Sequence, residues 1–447
     1  MKRAWISRTV AFSSLALLAA MLASFASCAT NAGEGTLDED ASSAVPEGAA
    51  PELDGAVADA LPPEAGCDAG DPGCTTEVLR CEDVAWCLVS TPATPTYALT
   101  AVWGSSKSDV WAVGSGGTIL HYDGSTWVTT ASGIPDTFFN VWGSGPNDVW
   151  VVSTMELIFH SAGFADGGAQ WERVPAAGDP NPDYVAGYTT LGGGRFVRAI
   201  WGSSASDVRI GTTIPFSIET YVPPDFLYMG SSSQLVKGAT DGGLPWRALP
   251  GKHRITSIWG SSATDVWIAA DEGGSQRGTM LHGTPYEGPS PHPDIEQAAD
   301  LCFGCEAPCP SCGALTDPLV WKPVDSQSKL ALESIWGSSA DDVWAVGEGG
   351  TIRRIRKGDV RWQKVESPTT APLHAVWGSG PNDVWIAGDD GTILHYDGNE
   401  VAPSSVQLPL GRRPHLRGVW GSGANDVWIV GDGVLLHYTG PKPGGAK

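Results

Sequence analysis

The sequence predicts an all-β protein, a seven-bladed β-propeller of four-stranded antiparallel blades. One phrase recurs seven times along the 447 residues, and its most closely spaced copies begin roughly 40 residues apart. Short apolar segments separated by Gly-rich turns fill the intervals. Units of four short strands at this period are typical of propellers, which protect their sheet edges by arranging the blades in a ring.

The recurring phrase is Trp-Gly-Ser, three variable residues, and Asp-Val, usually followed by Trp. Its Trp and Asp are six residues apart in every copy, and the pairs are Trp103 and Asp109, Trp142 and Asp148, Trp201 and Asp207, Trp259 and Asp265, Trp336 and Asp342, Trp377 and Asp383, and Trp420 and Asp426. Successive copies start 39, 59, 58, 77, 41 and 43 residues apart. The longer intervals indicate insertions near 175–197, 212–231 and 283–318.

Each unit reads as four strands, which the first copy illustrates. We expect strands at 98–103, 109–113, 118–122 and 126–130, with Asp123-Gly124 forming the tight turn before the last. The seventh copy ends after three such segments, and a matching fourth segment lies before the first copy, at 83–92 around Trp86. The sequence therefore predicts that this N-terminal strand completes the last blade and closes the ring.

The repeat also explains the 20 tryptophans, of which all but Trp5 fall at repeat positions. We interpret them as packing between twisted sheets. The repeat Asp residues are expected at hairpin turns, where Asp usually accepts hydrogen bonds from its own backbone; a Ca²⁺ site at one or two of them stays open. Five histidines share one position on the third strand and are also interpreted as structural: His121, His160, His282, His395 and His437.

The N-terminus reads as an export signal followed by a tether. Residues 1–27 combine basic residues with an apolar run, and the small residues just before Cys28 resemble the lipobox of bacterial lipoproteins. That resemblance implies acylation of Cys28; cleavage after Ala26 or Ala29, giving a soluble secreted or periplasmic protein, is the alternative. Residues 28–75 are acidic and lack apolar periodicity, so we expect a disordered tether. We expect an outer-membrane lipoprotein or cell-surface protein.

The eight remaining cysteines predict disulfides, since an exported chain folds in an oxidising compartment. They form two groups, Cys67, Cys74, Cys81 and Cys87 before the ring, and Cys302, Cys305, Cys309 and Cys312 in the longest insertion. The spacing of the second group leaves a Zn²⁺ or iron–sulfur site as the alternative. The pairing cannot be read from the sequence.

The formal net charge of −23 argues against nucleic-acid binding and against attraction to anionic lipid, so we expect membrane contact through the lipid anchor only. Residues 76–447 are predicted to form the propeller, as a monomer without a cofactor. Four aromatic residues lie in the insertion of the third unit, which we expect to be an exposed loop, and they are the predicted ligand-binding residues: Phe216, Tyr221, Phe226 and Tyr228.

Over roughly residues 81–440, the repeats resemble the Trp-Gly-Ser/Asp-Val-Trp propeller repeats of bacterial envelope lipoproteins and are more distantly similar to Asp-box (BNR-type) propellers. The resemblance implies the fold, and such scaffolds carry many activities. We expect a non-enzymatic envelope binding or scaffold protein, active in surface recognition or adhesion with a protein or glycan ligand. The alternative is a propeller glycoside hydrolase or lyase acting on polysaccharide, although no spacing selects catalytic residues.

Overall fold

The computed structural model describes residues 85–153, 157–174, 196–222, 226–237, 246–250, 253–271, 278–287, 319–406, 408 and 412–441. Over 213–222, 226–236 and 246–250 it describes the backbone alone. The chain divides into two units, Met1–Thr75 and Thr76–Lys447, and every described residue belongs to the second. The structure is an all-β propeller with four-stranded antiparallel blades.

The described residues form seven four-stranded sheets, which we number as blades in chain order. The N-terminal strand β1 (Trp86–Leu88) belongs to the last of them. Blade 1 contains β2 (Leu99–Ser106), β3 (Asp109–Gly114), β4 (Ile119–Tyr122) and β5 (Trp127–Thr129). Blade 2 contains β6 (Asn140–Gly145), β7 (Asp148–Val152), β8 (Ile158–Ser161) and, after the small hairpin of β9 (Phe164–Ala165) and β10 (Gly168–Ala169), β11 (Glu172–Arg173).

The remaining blades repeat the same order. Blade 3 contains β12 (Val197–Ser204), β13 (Asp207–Val222), β14 (Phe226–Lys237) and β15 (Trp246–Pro250). Blade 4 contains β16 (Arg254–Ser262), β17 (Asp265–Asp271), β18 (Gly278–Pro285) and β19 (Leu319–Val324). Blade 5 contains β20 (Leu332–Ser339), β21 (Asp342–Gly347), β22 (Thr351–Arg356) and β23 (Gln363–Val365). Blade 6 contains β24 (Leu373–Gly380), β25 (Asp383–Gly388), β26 (Ile393–Tyr396) and β27 (Val401–Pro403).

Blade 7 takes its fourth strand from the other end of the chain. Its own strands are β28 (Leu416–Gly423), β29 (Asp426–Gly431) and β30 (Val434–Tyr438). Strand β1 pairs antiparallel with β30, with Trp86 opposite Tyr438. The Trp86 side chain is fully buried and lies edge-on to Trp385 of blade 6, with 5.0 Å between the ring centroids.

Neighbouring blades pack through the first two residues of the repeat phrase. The Trp of each copy lies against the Gly of the next copy, so closely that a Cβ added to any of these glycines would come within 3.0 Å of the indole ring. The contacts run Trp103 to Gly143, Trp142 to Gly202, Trp201 to Gly260, Trp259 to Gly337, Trp336 to Gly378, Trp377 to Gly421 and Trp420 to Gly104. The last contact joins blade 7 to blade 1.

The insertion of blade 3 differs from the sequence expectation, which placed its aromatic residues in a long loop. Strands β13 and β14 instead continue through it as a paired hairpin, from Phe216 opposite Ser232 to Val222 opposite Phe226. The run Phe-Ser-Ile-Glu-Thr-Tyr-Val is rich in residues that favour strands, and this local preference was overlooked. The insertions near 175–197 and 283–318 lie almost entirely outside the described residues.

Candidate binding site

A central cavity of about 270 Å³ is lined by residues from the first strand, or the residue before it, in all seven blades. Its lining residues cluster at the start of these strands, where each blade is entered from the preceding one. Because strand direction alternates, the turns between second and third strands lie at the same end. We call this side of the propeller the connection face, and the cavity is the mouth of its central channel.

One position of the repeat supplies a lining residue from every blade. It lies three residues before the repeat Trp, and its occupants in blade order are Thr100, Phe139, Arg198, Thr256, Glu333, His374 and Arg417. The preceding repeat position is always a large apolar residue and the following one is small in all blades but one, whereas this position changes its chemistry from blade to blade. We call these seven residues the channel ring.

The two threonines show what the framework alone requires at this position. The Thr100 hydroxyl lies 3.1 Å from the Val113 carbonyl oxygen of its own blade and 2.6 Å from the Phe138 oxygen. The Thr256 hydroxyl makes the equivalent contacts to Ala269, at 3.1 Å, and to Leu332 of blade 5, at 2.7 Å. A threonine therefore links adjacent blades here, and the five other occupants depart from that arrangement.

Two of the five are held by carboxylates from neighbouring turns. Arg417 donates from Nε to Asp432 Oδ1 at 2.7 Å and from Nη2 to Oδ2 at 3.2 Å. His374 Nε2 lies 2.6 Å from Asp389 Oδ1, and His415 Nδ1 lies 2.5 Å from the same oxygen. Burial raises the pKa of Asp389, but hydrogen bonds from both histidines outweigh it and keep the pKa below its usual value.

Arg198 is exposed and makes no hydrogen bond or ion pair through its guanidinium group with the described part of the chain. Its Cζ atom lies 5.4 Å from the centroid of the Phe139 ring. Phe196, which is 39% exposed, stands edge-on to Phe139 with 5.0 Å between the centroids. An aromatic pair therefore supports a cation at the boundary between blades 2 and 3.

Glu333 is the carboxylate on the channel ring. Burial raises its pKa above the usual value, and the nearby charges of His374 and Arg198 only partly oppose this effect. Within the described residues it forms no hydrogen bond to a cation. The channel mouth therefore carries two different polar groups, a partly buried carboxyl group and an exposed guanidinium group.

The seven repeat Asp residues lie at the other end of the strands from this cavity. Each begins a second strand, and one oxygen accepts a hydrogen bond from the Ser of its own repeat phrase, as in the 2.6 Å contact of Ser144 with Asp148. In five blades the other oxygen contacts the third-strand histidine, at 2.8 Å for His121 and Asp109. The expectation that these Asp residues bond their own backbone is therefore wrong: a Ser side chain contacts one oxygen in all seven, and a His or Arg side chain of the same blade contacts the other in six.

The network lowers the pKa of five of these carboxyl groups. Burial raises the pKa of Asp109, but hydrogen bonds from His121, Ser105 and Trp111 more than compensate, and the pKa falls below its usual value. The same balance lowers the pKa of the equivalent groups Asp148, Asp265, Asp383 and Asp426. Three of these histidines stack on the second-strand tryptophans, as His437 does on Trp428 at 3.7 Å, and His121 and His160 lie tilted against theirs. These contacts support the structural interpretation of both residue types.

Blade 5 replaces the histidine by Arg354. Its Nε donates to Asp342 at 2.5 Å, Nη1 to the Tyr396 hydroxyl at 3.2 Å and Nη2 to the Pro381 oxygen at 3.0 Å. Asp342 and Arg354 are each 7% exposed. The arginine thus satisfies the carboxylate of its own blade and bridges to blade 6.

The structure describes some of the site residues that the sequence predicts, and others lie outside the described residues. The aromatic residues of blade 3 occupy paired positions on the projecting hairpin, with Tyr228 opposite Thr220 and Tyr221 opposite Leu227. Cys87 is disulfide-bonded; its partner, the other cysteines and Cys28 lie outside the described residues. No group of three or more potential ligands among the described residues could hold a metal ion, and no described helix is long and apolar enough to cross a membrane.

The channel ring was missed in the sequence. Its signal was available in the seven aligned copies, as one position where Thr, Phe, Arg, Glu and His occur after a residue that is always large and apolar. Attention to the invariant Trp, Gly and Asp hides such a position, because invariance within repeats marks packing while variation marks what distinguishes the blades.

Comparisons with known proteins support the fold. No family model matches the chain, and no curated protein matches it. The solved structure of YCF48 bound to D1 peptide is similar to 80% of this chain and 97% of its own, with 18% identity and a TM-score of 0.52. YCF48 from Cyanidioschyzon merolae is similar over 79% of this chain and 98% of its own, with 16% identity and a TM-score of 0.51. The WD40 β-propeller domain of Doa1 covers 81% of this chain and 100% of its own, with 11% identity and a TM-score of 0.51. These likenesses identify the chain as a β-propeller in fold.

Proposed function

We propose that this protein is a non-enzymatic scaffold of the cell envelope that binds a partner protein on its connection face. The observation that carries the proposal is the channel ring. Thr100 and Thr256 show that a threonine meets the structural need at this position. Replacing it by Phe139, Arg198 and Glu333 gives up interblade hydrogen bonds for groups that face the cavity. We interpret these residues as groups that bind the partner protein.

Exposed apolar side chains around the cavity support the same face. Tyr97 and Leu330 occupy equivalent connections into blades 1 and 5, and they are 40% and 39% exposed, as is Phe196 before blade 3 at 39%. Large apolar groups that stay exposed on a rigid rim are typical of protein-binding surfaces. A solved YCF48 propeller is bound to a peptide, which agrees with a protein ligand for this fold.

The alternative, a glycoside hydrolase or lyase, would be favoured by two convergent carboxylates in the cavity. Of the described residues that line the cavity, Glu333 is the carboxylate; the nearby acids Glu348 and Asp271 raise its pKa but do not line the cavity. The aromatic pair of Phe139 and Phe196 at the boundary of blades 2 and 3 favours binding instead.

The projecting hairpin of blade 3 belongs to the proposal as a second contact. It extends from the turn between second and third strands and therefore from the connection face. Phe216, Tyr221, Phe226 and Tyr228 lie on it, and a long two-stranded arm beside the channel mouth would enlarge the surface offered to a partner.

The proposed scaffold is a closed ring that is anchored to the envelope. We propose that seven blades form one closed ring locked by β1, supported by the pairing of β1 with β30 and by the contact of Trp420 with Gly104. Export, acylation at Cys28 and an acidic tether would present the ring at the outer membrane or cell surface, and disulfides would stabilise its insertions.

Site-specific photocrosslinking in the native cells tests the docking face. A photoreactive phenylalanine analogue at Tyr97 is expected to give a discrete protein adduct. The same analogue at Val360, which is 89% exposed in the turn between the third and fourth strands of blade 5, is the control and is expected to give none. Adducts at Val360 alone would contradict the proposed face. Binding to immobilised glycans with no protein adduct would assign a lectin-like role instead.

A further inference from the structure

The arginine and histidine residues of the channel ring differ in whether a carboxylate of the chain already contacts them. Arg417 donates two hydrogen bonds to Asp432, and His374 contacts Asp389. The guanidinium group of Arg198 has no carboxylate within 4 Å among the described residues and is exposed. An arginine carries five donors, and a guanidinium group without an acceptor at the mouth of a cavity is available for a ligand.

The surroundings of Arg198 hold it in one place. The Asn140 side chain donates to the Arg198 carbonyl oxygen at 2.8 Å, and the preceding amide of Val197 donates to Ser153 at 2.8 Å. The guanidinium group lies over Phe139, which Phe196 contacts edge-on. Stacking on a ring reduces the freedom that a long side chain loses on binding, so the donors are preorganised.

We propose that Arg198 binds the side-chain carboxylate of an acidic segment of the partner protein, and that an adjacent apolar residue of that segment packs on Phe196. This inference rests on the proposed function and assigns the chemistry of its ligand. A planar carboxylate can accept two parallel hydrogen bonds from the guanidinium group. Phe196, which is 39% exposed, contacts the Phe139 ring that lies under the guanidinium group, and it offers the apolar contact.

The rest of the ring favours a single negative charge. Glu333 lines the same cavity, and the side chains of Arg417 and His374 already contact Asp432 and Asp389. A doubly charged phosphate would meet one free arginine and a nearby acid, whereas a carboxylate needs only the arginine. The geometry therefore selects an Asp or Glu side chain rather than a phosphorylated one.

Fluorescence anisotropy with the purified full chain tests the inference. The probes are labelled octapeptide pools, acetylated and amidated at their ends, with a central Glu, Gln or phosphoserine flanked by Leu and Phe. We expect the Glu pool to bind most tightly and Arg198→Ala to weaken that binding by about tenfold or more, as for a lost hydrogen bond to a charged group. Arg198→Lys is expected to recover part of the affinity, and Arg361→Ala, an exposed arginine in the opposite-face turn of blade 5, to change nothing.

Four results would overturn the inference, and they are distinguishable from failure of the docking proposal. Equal binding of the Glu and Gln pools, or Glu-pool binding that survives Arg198→Ala, would remove Arg198 as the carboxylate site while adducts at Tyr97 still support the face. Tighter binding of the phosphoserine pool would replace the carboxylate by a phosphate. Absence of binding to every pool contradicts the inference, and absence of adducts at Tyr97 as well contradicts the docking face. The melting temperature of each variant shows that the chain is folded.

Discussion

At the scale of single residues, the repeat is held by a carboxylate shared among side chains of one blade. Asp383 accepts hydrogen bonds from Ser379 and from His395, and His395 stacks on Trp385 at 4.0 Å. The sequence showed that Asp and His recur at fixed positions. It did not show that they make contact, because they lie twelve residues apart on two adjacent strands. Register brings them together, and register follows from pairing along the whole strand.

The first prediction concerns this carboxylate. Asp383→Asn is expected to reduce the free energy of unfolding by about 1.5–3 kcal/mol at pH 7, because it weakens hydrogen bonds to a charged group. Urea denaturation measures the change. The control is Asp397→Asn in the same blade, whose carboxylate accepts backbone N–H groups at an exposed turn and can be replaced by an amide. Equal losses in the two variants would contradict the role given to Asp383.

The pH dependence of stability follows from the same groups. Hydrogen bonding lowers the pKa of Asp109, Asp148, Asp265, Asp383 and Asp426 in the folded chain below the unfolded value of 3.8. Their stabilisation is therefore complete above about pH 4 and is lost as the pH falls below it, through the folded pKa values. We expect the unfolding free energy to fall between pH 4 and more acidic buffers, and Asp383→Asn to show a shallower fall. An unchanged slope in the variant would contradict this account.

At the scale of elements, the strand pattern was predictable and the departures from it were less so. Short apolar strands between Gly-rich turns indicated four strands per blade, because each second strand is buried on both faces and reads as a continuous apolar run. The long β13–β14 hairpin was mistaken for a loop, since its length suggested an insertion without a partner. The channel ring could be located only when the structure showed which strand lines the cavity.

The second prediction concerns the bridge between blades 5 and 6. Arg354→Met leaves Asp342 without its ion-pair partner in a buried site, and we expect a loss of about 3–5 kcal/mol. The double variant Arg354→Met with Asp342→Asn should lose less, since no buried charge remains. Chemical denaturation of the single and double variants tests this order, and a double variant less stable than the single would contradict it.

The third prediction concerns packing between blades. A Cβ at Gly378 would lie 2.5 Å from the backbone oxygen of Asp383 and 2.6 Å from Trp336 Cη2, so Gly378→Ala is expected to cost about 1–3 kcal/mol through overpacking. The control is Gly380→Ala, two residues further along the same strand, where a Cβ would meet nothing within 4 Å. Melting temperatures compare the two. If Gly380→Ala lowered the melting temperature as much as Gly378→Ala, strand propensity and not close packing would explain the effect.

At the scale of the whole molecule, we propose a ring that closes where the first and last repeats meet. Trp86 contributes the N-terminal part of that closure: it is fully buried, lies edge-on to Trp385 and tilted against Tyr438, and donates to Ser404 at 3.2 Å. The chain order of the repeats indicated this arrangement, because the last copy lacked a strand that the N-terminal segment could supply. The order of the repeats does not identify the ligand, since propellers of the same architecture bind many different molecules.

The fourth prediction tests the closure. Trp86→Ala is expected to cost about 3–5 kcal/mol by emptying a buried site between blades 6 and 7. Leu88→Ala on the same strand is the control, because Leu88 is 50% exposed and its truncation should change stability by less than about 0.5 kcal/mol. Hydrogen exchange should then show faster opening of β30 in the Trp86 variant. Unchanged protection of β30 would contradict the role of β1 in holding the last blade.

The central claim is that the variable residues of the channel ring bind the partner while the repeat carries the fold. The most direct measurement replaces Arg198 and Glu333 by Thr, the residue that blades 1 and 4 place at this position, in a chain with the photocrosslinker at Tyr97. The account predicts that the melting temperature is retained, because threonine satisfies the framework there, and that the partner adduct is lost. An adduct of undiminished yield in the folded double variant would contradict the claim.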